Sequence, residues 1–138
     1  MKTAGYSGTP LAKKLGIKPG FRIKIVEEPK DYFSLFTDLL MDLEIIRDLE
    51  IEKDFIHYCT TSALQLKKDI GQLKKEIVQH GILWISWPKK TAKLATDLNG
   101  NFVREIGLGA GLVNIKVCAV NEIWSGLKFV VPVKDRKK

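Results

Sequence analysis

Cysteine and histidine are scarce, two of each in 138 residues. Cys59 and Cys118 lie far apart, each inside an apolar, strand-like run (FIHYC and IKVCAV), and neither has a second Cys or His at metal-ligand spacing. That argues against a disulfide framework and a zinc site, and for two small buried thiols, both reduced. Long apolar runs are missing as well. Nothing approaches the roughly 18 residues that a membrane-spanning helix needs, and Met1-Lys2-Thr3-Ala4-Gly5 lacks the apolar stretch of a secretory signal. The expected location is cytoplasmic, with no membrane partner. Glycine (11) and proline (5) are not inflated, so collagen-like, low-complexity and wholly disordered readings fall away.

What is present suits one packed core. Hydrophobic residues make up 45% and charged residues 28%, in a length that fits a single α/β domain over 1–138, with an N-terminal helical arm (1–20) and a frayed basic tail (134–138). The net charge of +7 is unevenly spread: residues 1–26 sum to +6, 27–54 to −7 and 55–138 to +8. Such asymmetry suits a basic face for a polyanion, but the lysines are dispersed with only Trp84, Trp87 and Trp124 among them, as on solvated helix faces.

Helices and strands alternate along the chain. Thr9-Pro10 starts a short helix that Gly16 closes, and Phe21 to Val26 alternates as a strand. Asp31 caps a second helix with Phe33, Phe36 and Leu40 on one stripe, and Leu43 to Arg47 is a weak strand. Phe55 to Thr60 reads as a central parallel strand, buried on both sides. Ser62 with Gln65 makes a capping box for a helix with Leu66, Ile70, Leu73 and Ile77 on one face, ended by Gly81. Ile82 to Trp87 is the next strand, stopped by Pro88; a shorter helix capped near Thr96, Asp97 or Asn99 follows and runs out at Gly107. Val113–Val120 and Leu127–Val133 close the chain as a hairpin. The expected fold is α/β and three-layer, Rossmann-like: a mostly parallel sheet of five to six strands with a C-terminal antiparallel hairpin and helices on both faces. Ligands in such sheets gather at the carboxyl ends of the strands, here after Val26, Thr60 and Trp87.

Gly107-Leu108-Gly109-Ala110-Gly111 follows a helix and precedes a strand, the reverse of a phosphate cradle, so it reads as a helix end and turn. Ser86, Trp87 and Lys89 combine a hydroxyl, an indole and a cation at a strand end. Trp124, Ser125 and Lys128 join them if the hairpin returns beside that strand, and Arg104 is a further candidate. Ser7, Thr9 and Lys13 offer an anion-binding helix start. His57 reads as a hydrogen-bonded core histidine and His80 as a helix-end cap. No Ser-His-Asp order, metal cluster or close carboxylate pair stands out.

The stretches GYSGTPLAKKLGIKPG, LWISWPKK, DLN…VRE and GLVNIKVCAVNEIWSGLKFV resemble a bacterial family catalogued as domain of unknown function 3052, a resemblance that implies no activity. The order of elements is also similar to a shortened class I S-adenosylmethionine-dependent methyltransferase. That likeness implies six strands in the order 2-1-3-4-6-5 with the sixth antiparallel; VEEPKDY stands where the family has a glycine loop, and Asp48 and Glu50 are candidates for the ribose-gripping acid. Three functions remain in view. The first is a non-catalytic module, without cofactor, that binds a small anionic ligand or an acidic protein partner through Ser86, Trp87, Lys89, Trp124, Ser125 and Lys128. The second is an atypical or degenerate methyltransferase in which Lys89 or Arg104 positions the substrate. The third is a basic nucleic-acid-binding domain.

Overall fold

The computed structural model describes residues 15–18, 20–27 and 44–136. The expected helix over 31–40, most of the N-terminal arm, and Ser7, Thr9 and Lys13 lie outside the described residues. Six strands form one sheet: β1 (Arg22–Val26), β2 (Glu44–Ile45), β3 (Lys53–Cys59), β4 (Ile77–Pro88), β5 (Val113–Ala119) and β6 (Trp124–Val130). Their order is β2-β1-β3-β4-β6-β5. The first four run parallel, and β6 lies antiparallel between β4 and β5. This is the arrangement that the methyltransferase likeness implies, and the α/β, three-layer class is the one the alternation of elements predicts. No described helix is long and apolar enough to cross a membrane.

Two described helices, α1 (Ala63–Glu76) and α2 (Gly100–Gly109), share one face. Leu66, Ile70 and Leu73 of α1 and Val103 of α2 pack there on Ile56, Tyr58, Leu83, Ile85, Leu127 and Phe129. Full burial of each such aliphatic or aromatic side chain contributes roughly 1.5–3 kcal/mol. The opposite face carries a second core of Ile23, Phe55, Trp84, Cys118 and Val120, covered in part by Leu15 and Ile17. The Trp84 indole donates to the Leu15 carbonyl at 2.8 Å, which ties the segment before β1 to the sheet. Both cysteines are buried and free of disulfides.

Boundaries shift for identifiable reasons. Helix α1 ends at Glu76, not Gly81, because Ile77 already pairs with Lys53 as the first residue of β4. The ladder then skips from Lys53↔Ile77 to Phe55↔Ile82, a bulge that takes up the extra residues before Gly81 and Ile82. His80 is therefore an exposed strand residue within reach of Arg136 (3.4 Å), not a helix cap. Strand β6 starts at Trp124 because Asn121 Oδ1 accepts from Ile123 N and Trp124 N and tightens the preceding turn. At the far end Val133–Asp135 form a 3₁₀ turn, and Arg136 Nε donates to the Val131 carbonyl; the last two residues of the basic tail lie outside the described residues.

Gly107 explains how closely α2 lies on the sheet: a Cβ there would sit 2.1 Å from Phe129 Cε1. The glycine run thus serves packing and, at Gly111 with φ +89°, the turn out of the helix.

Candidate functional site

In this sheet the chain leaves β1 toward β2 on one side and β3 toward β4 on the other, so the crevice outside the carboxyl ends of β1 and β3 is the switch point where ligands collect. A cavity of about 480 Å³ lies there, within the range of small-molecule sites. Its floor is Val26 and Glu27 after β1 and Tyr58 to Thr60 at the end of β3; Gln65 and Asp69 of α1 form one wall and Trp124 of β6 another.

Each group is held by local chemistry. Glu27 adopts φ +55°, a left-handed conformation that costs a residue with a Cβ about 1–2 kcal/mol and that recurs where backbone is shaped for a ligand. At the start of α1, Ser62 Oγ accepts from Gln65 N at 3.1 Å. The capping box is only half formed, since Gln65 Nε2 turns to Asp69 Oδ2 (2.9 Å) and Ser62 N donates to Thr60 Oγ1. Of the three candidate caps for α2, Asp97 instead accepts from Ala63 N at 2.8 Å, and Thr96 Oγ1 donates to the Thr61 carbonyl at 2.7 Å. The loop before α2 is thereby fastened beside the cavity. Asn99 caps α2 by accepting from Phe102 N.

Tyr58 donates its hydroxyl to Asp69 Oδ2 at 2.5 Å. Burial first, then the hydrogen bond and charge of Asp69 and the charge of Glu27, drive the phenol far above its ordinary value of 10, against a weaker opposing contact from Thr60. It stays a neutral donor. Both known bonds to Asp69 from Tyr58 and Gln65 end on Oδ2. The cavity therefore presents two carboxylates, several hydroxyls and an indole, a lining for a cationic, hydroxyl-bearing ligand with a flat ring.

The residues singled out from the sequence do not gather into one surface. Strand pairing brings Trp87 opposite Ser125 and Pro88 opposite Trp124, so the two indoles fall on opposite faces of the sheet. Trp87 is 7% exposed, packed in the core beneath α1 and α2, with Gly100 close above its ring. Trp124 packs against the other core. Ser86 is fully buried and shares a 2.6 Å hydrogen bond with His57 Nε2. Burial brings the His57 imidazole down to about 3, so it is the neutral core histidine that its strand context suggested. Lys89 is half-buried and its backbone N–H donates to the Ile123 carbonyl. Arg104 is exposed on α2, Ser125 half-buried on the Trp87 face, and Lys128 half-buried on the Trp84 face. The expected joint recognition face of Trp87 and Trp124 is not formed.

Asp48 and Glu50 are also placed away from the cavity. Strand β2 ends at Ile45, and the chain then turns at the amino end of the sheet: the Asp48 carbonyl accepts from Lys53 Nζ at 2.6 Å, and Lys53 opens β3 at its amino end. Glu50 N donates to Asp48 Oδ1 in the same turn. Glu27, Asp69 and Tyr58 were passed over. Their signal was the position of Glu27 and Thr60 at strand carboxyl ends, outweighed by the absence of glycine after β1. Among the described residues no group of three or more His, Cys, Asp or Glu could hold a metal ion.

No family model and no curated protein matches the chain by sequence, so the resemblance to the uncharacterised bacterial family finds no support. Solved structures do match. A SAM-dependent methyltransferase from Aquifex aeolicus aligns with a TM-score of 0.57 at 18% identity, over 88% of each chain. A ribosomal protein L11 methylase from Lactobacillus delbrueckii subsp. bulgaricus aligns with a TM-score of 0.57 at 12% identity, over 88% of this chain and 74% of that one. The fold is the methyltransferase fold. Magnesium protoporphyrin IX methyltransferase from Synechocystis aligns with a TM-score of 0.49 at 13% identity over 67% of this chain, which spans 52%, about half, of that protein's length. The Aquifex and Lactobacillus neighbours run against the first functional expectation, a non-catalytic binding module, and back the methyltransferase alternative better.

Proposed function

We propose that the protein is an atypical S-adenosylmethionine-dependent methyltransferase whose cofactor occupies the cavity between the carboxyl ends of β1 and β3. The observation that carries this reading is the chemistry of that cavity at the switch point: Glu27, Asp69 and Trp124 around a hydroxyl-rich floor. The ligand has a sulfonium, an ammonium, two ribose hydroxyls and an adenine ring, and carries no phosphate. Two carboxylates that would repel a nucleotide phosphate therefore suit it. Glu27 would accept from the ribose hydroxyls or the ammonium, and Trp124 would face the adenine ring. The site departs from the fold's usual pattern, since no glycine follows β1 and the grip comes from side chains. When bound, the cofactor supplies an electrophilic methyl group. The chain's own part is to orient it: Tyr58 and Gln65 fix Asp69 through Oδ2, and the Asp97 and Thr96 bonds hold the α1 start in place. The methyl acceptor is not fixed by these residues.

Calorimetric titration with S-adenosylmethionine and S-adenosylhomocysteine tests the reading. Micromolar binding that weakens about tenfold or more in Glu27→Gln, by loss of a charge-assisted hydrogen bond, is the expected result. No heat up to millimolar ligand would overturn it.

A further inference from the structure

Strand β4 ends in Pro88, and the chain then passes through Lys89, Lys90 and Lys93 before Thr96, with no acidic residue between. Both ends of this loop are fastened to the rim of the cavity. The Lys89 N–H donates to the Ile123 carbonyl at 2.6 Å, next to Trp124, while Thr96 and Asp97 bond to Thr61 and Ala63 at the start of α1. Trp124 and Thr61 both line the cavity. Between these anchors Lys90–Ala92 form a 3₁₀ turn, and Lys93, at φ +58°, donates its N–H to the Lys90 carbonyl. Such a left-handed backbone is unusual for a residue with a Cβ. It closes the turn on Lys90 and Lys93, both exposed, beside the half-buried Lys89. Among the described residues none of the three ammonium groups forms an ion pair, although Asp97 and Glu122 stand on adjoining segments. The rim is thus cationic where the cavity itself, with Glu27 and Asp69, is anionic.

We propose that the methyl acceptor is a single-stranded nucleic acid whose phosphates lie on Lys89, Lys90 and Lys93, an inference that rests on the methyl-transfer reading and names its substrate class. The acidic cavity suits a cationic cofactor and repels phosphate; the lysine loop beside it does the reverse. Ammonium groups without an ion pair bind phosphate oxygens by charge-assisted hydrogen bonds, and three of them within five residues suit the closely repeated charges of a phosphodiester backbone. Lys90 and Lys93 are exposed, which leaves them open to a strand lying across the loop. A single strand, unlike a duplex, lets a base or ribose turn from the loop into the cavity. There a lone pair on a base nitrogen or ribose oxygen forms the bond to the methyl carbon, the electrons of the broken carbon–sulfur bond return to sulfur, S-adenosylhomocysteine leaves, and the displaced proton passes to water. RNA and DNA share this backbone chemistry.

The test uses the full chain and two fluorescent pools of random-sequence 20-mers, one RNA and one single-stranded DNA, in anisotropy titrations from 50 to 200 mM salt. At least one pool binds, with a log–log salt slope of about −2 for three phosphate contacts on a single strand. Lys90→Gln/Lys93→Gln, at two exposed positions, makes that slope shallower by about 1.4 and weakens binding about 25-fold at 0.1 M salt. Lys68→Gln/Lys75→Gln, which removes the same charge from exposed positions on α1, does so far less. With methyl-labelled S-adenosylmethionine, label passes to the pool that binds, which separates RNA from DNA, and the loop variant loses this transfer while keeping its affinity for S-adenosylhomocysteine. If the wild-type chain binds S-adenosylhomocysteine but neither pool, this proposal fails and the methyl-transfer reading stands; if it binds no S-adenosylhomocysteine, that reading fails and the proposal with it. Equal losses in the loop and α1 variants, or loop-dependent binding with no label in either pool, also overturn the proposal.

Discussion

Replacing Glu76 with leucine should be among the costliest single changes in the molecule. Glu76 is 1% exposed and its Oε1 accepts from Lys24 Nζ at 2.8 Å and from Lys53 Nζ at 2.6 Å, with Lys53 fully buried. The carboxylate is the last residue of α1, where the helix dipole disfavours negative charge; the two lysines supply the countercharge, and Gln72 Nε2 donates more weakly to Oε2 at 3.3 Å. They link β1, β3 and α1 at the amino end of the sheet. Removing one partner of such a buried pair costs about 3–5 kcal/mol, because the other charge is left uncompensated. With a urea m-value of about 1.5–2 kcal/mol per M, the unfolding midpoint should drop by roughly 2 M. Lys24 keeps a route to water, its side chain being 15% exposed; among the described residues Lys53 keeps only the Asp48 carbonyl. The double variant Lys53→Met/Glu76→Leu should therefore regain most of the loss. A loss under about 1 kcal/mol for Glu76→Leu, or no recovery in the double variant, would refute the reasoning.

The same cluster sets an acid limit. Burial alone would raise the Glu76 carboxyl, but hydrogen bonds and charge from Lys24 and Lys53 outweigh it and hold the group below its ordinary 4.5. As pH falls the unfolded chain takes up this proton before the folded one does. The stabilisation is complete above pH 4.5 and is lost as pH drops through the depressed folded value. Urea midpoints of Glu76→Gln across that range should lack this part of the slope.

His57 titrates in a higher window: buried and neutral, it is lowered from 6.5 to about 3, so the unfolded chain gains a proton first as pH falls below 6.5. Stability should decline through that interval by up to about 1.4 kcal/mol per pH unit, and His57→Gln, which keeps a partner for Ser86, should remove that decline in urea titrations. Gly107→Ala forces a Cβ into the Phe129 ring and should cost about 1–3 kcal/mol by overpacking; Gly107→Ala/Phe129→Leu should recover part of it in thermal melts.

The sheet was legible because its signals are local. Alternation in Phe21–Val26, the continuous bulk of Phe55–Thr60 and the helical stripe of Leu66, Ile70 and Leu73 each identify their own element, and the order of elements restricts the topology. The proposed recognition face failed on something nonlocal, the register between β4 and β6. Trp87 and Trp124 end adjacent strands, but Trp124 pairs with Pro88, not with Trp87, and an offset of one residue sends the two rings to opposite faces. Asp48 was misplaced because β2 ends at Ile45 and the chain turns at the amino end of the sheet, an end point that weak alternation in Leu43–Arg47 does not reveal. Glu27 and Thr60 stood at the strand ends that topology nominates. The missing glycine obscured them, since a left-handed backbone at a glutamate is visible only in three dimensions.

The most direct measurement is a crystal structure of the chain grown with S-adenosylhomocysteine. The account predicts density for the ligand in the cavity between β1 and β3, its ribose or ammonium on Glu27 and its adenine against Trp124. Density at another surface, or a cavity holding only water at saturating ligand, would contradict it.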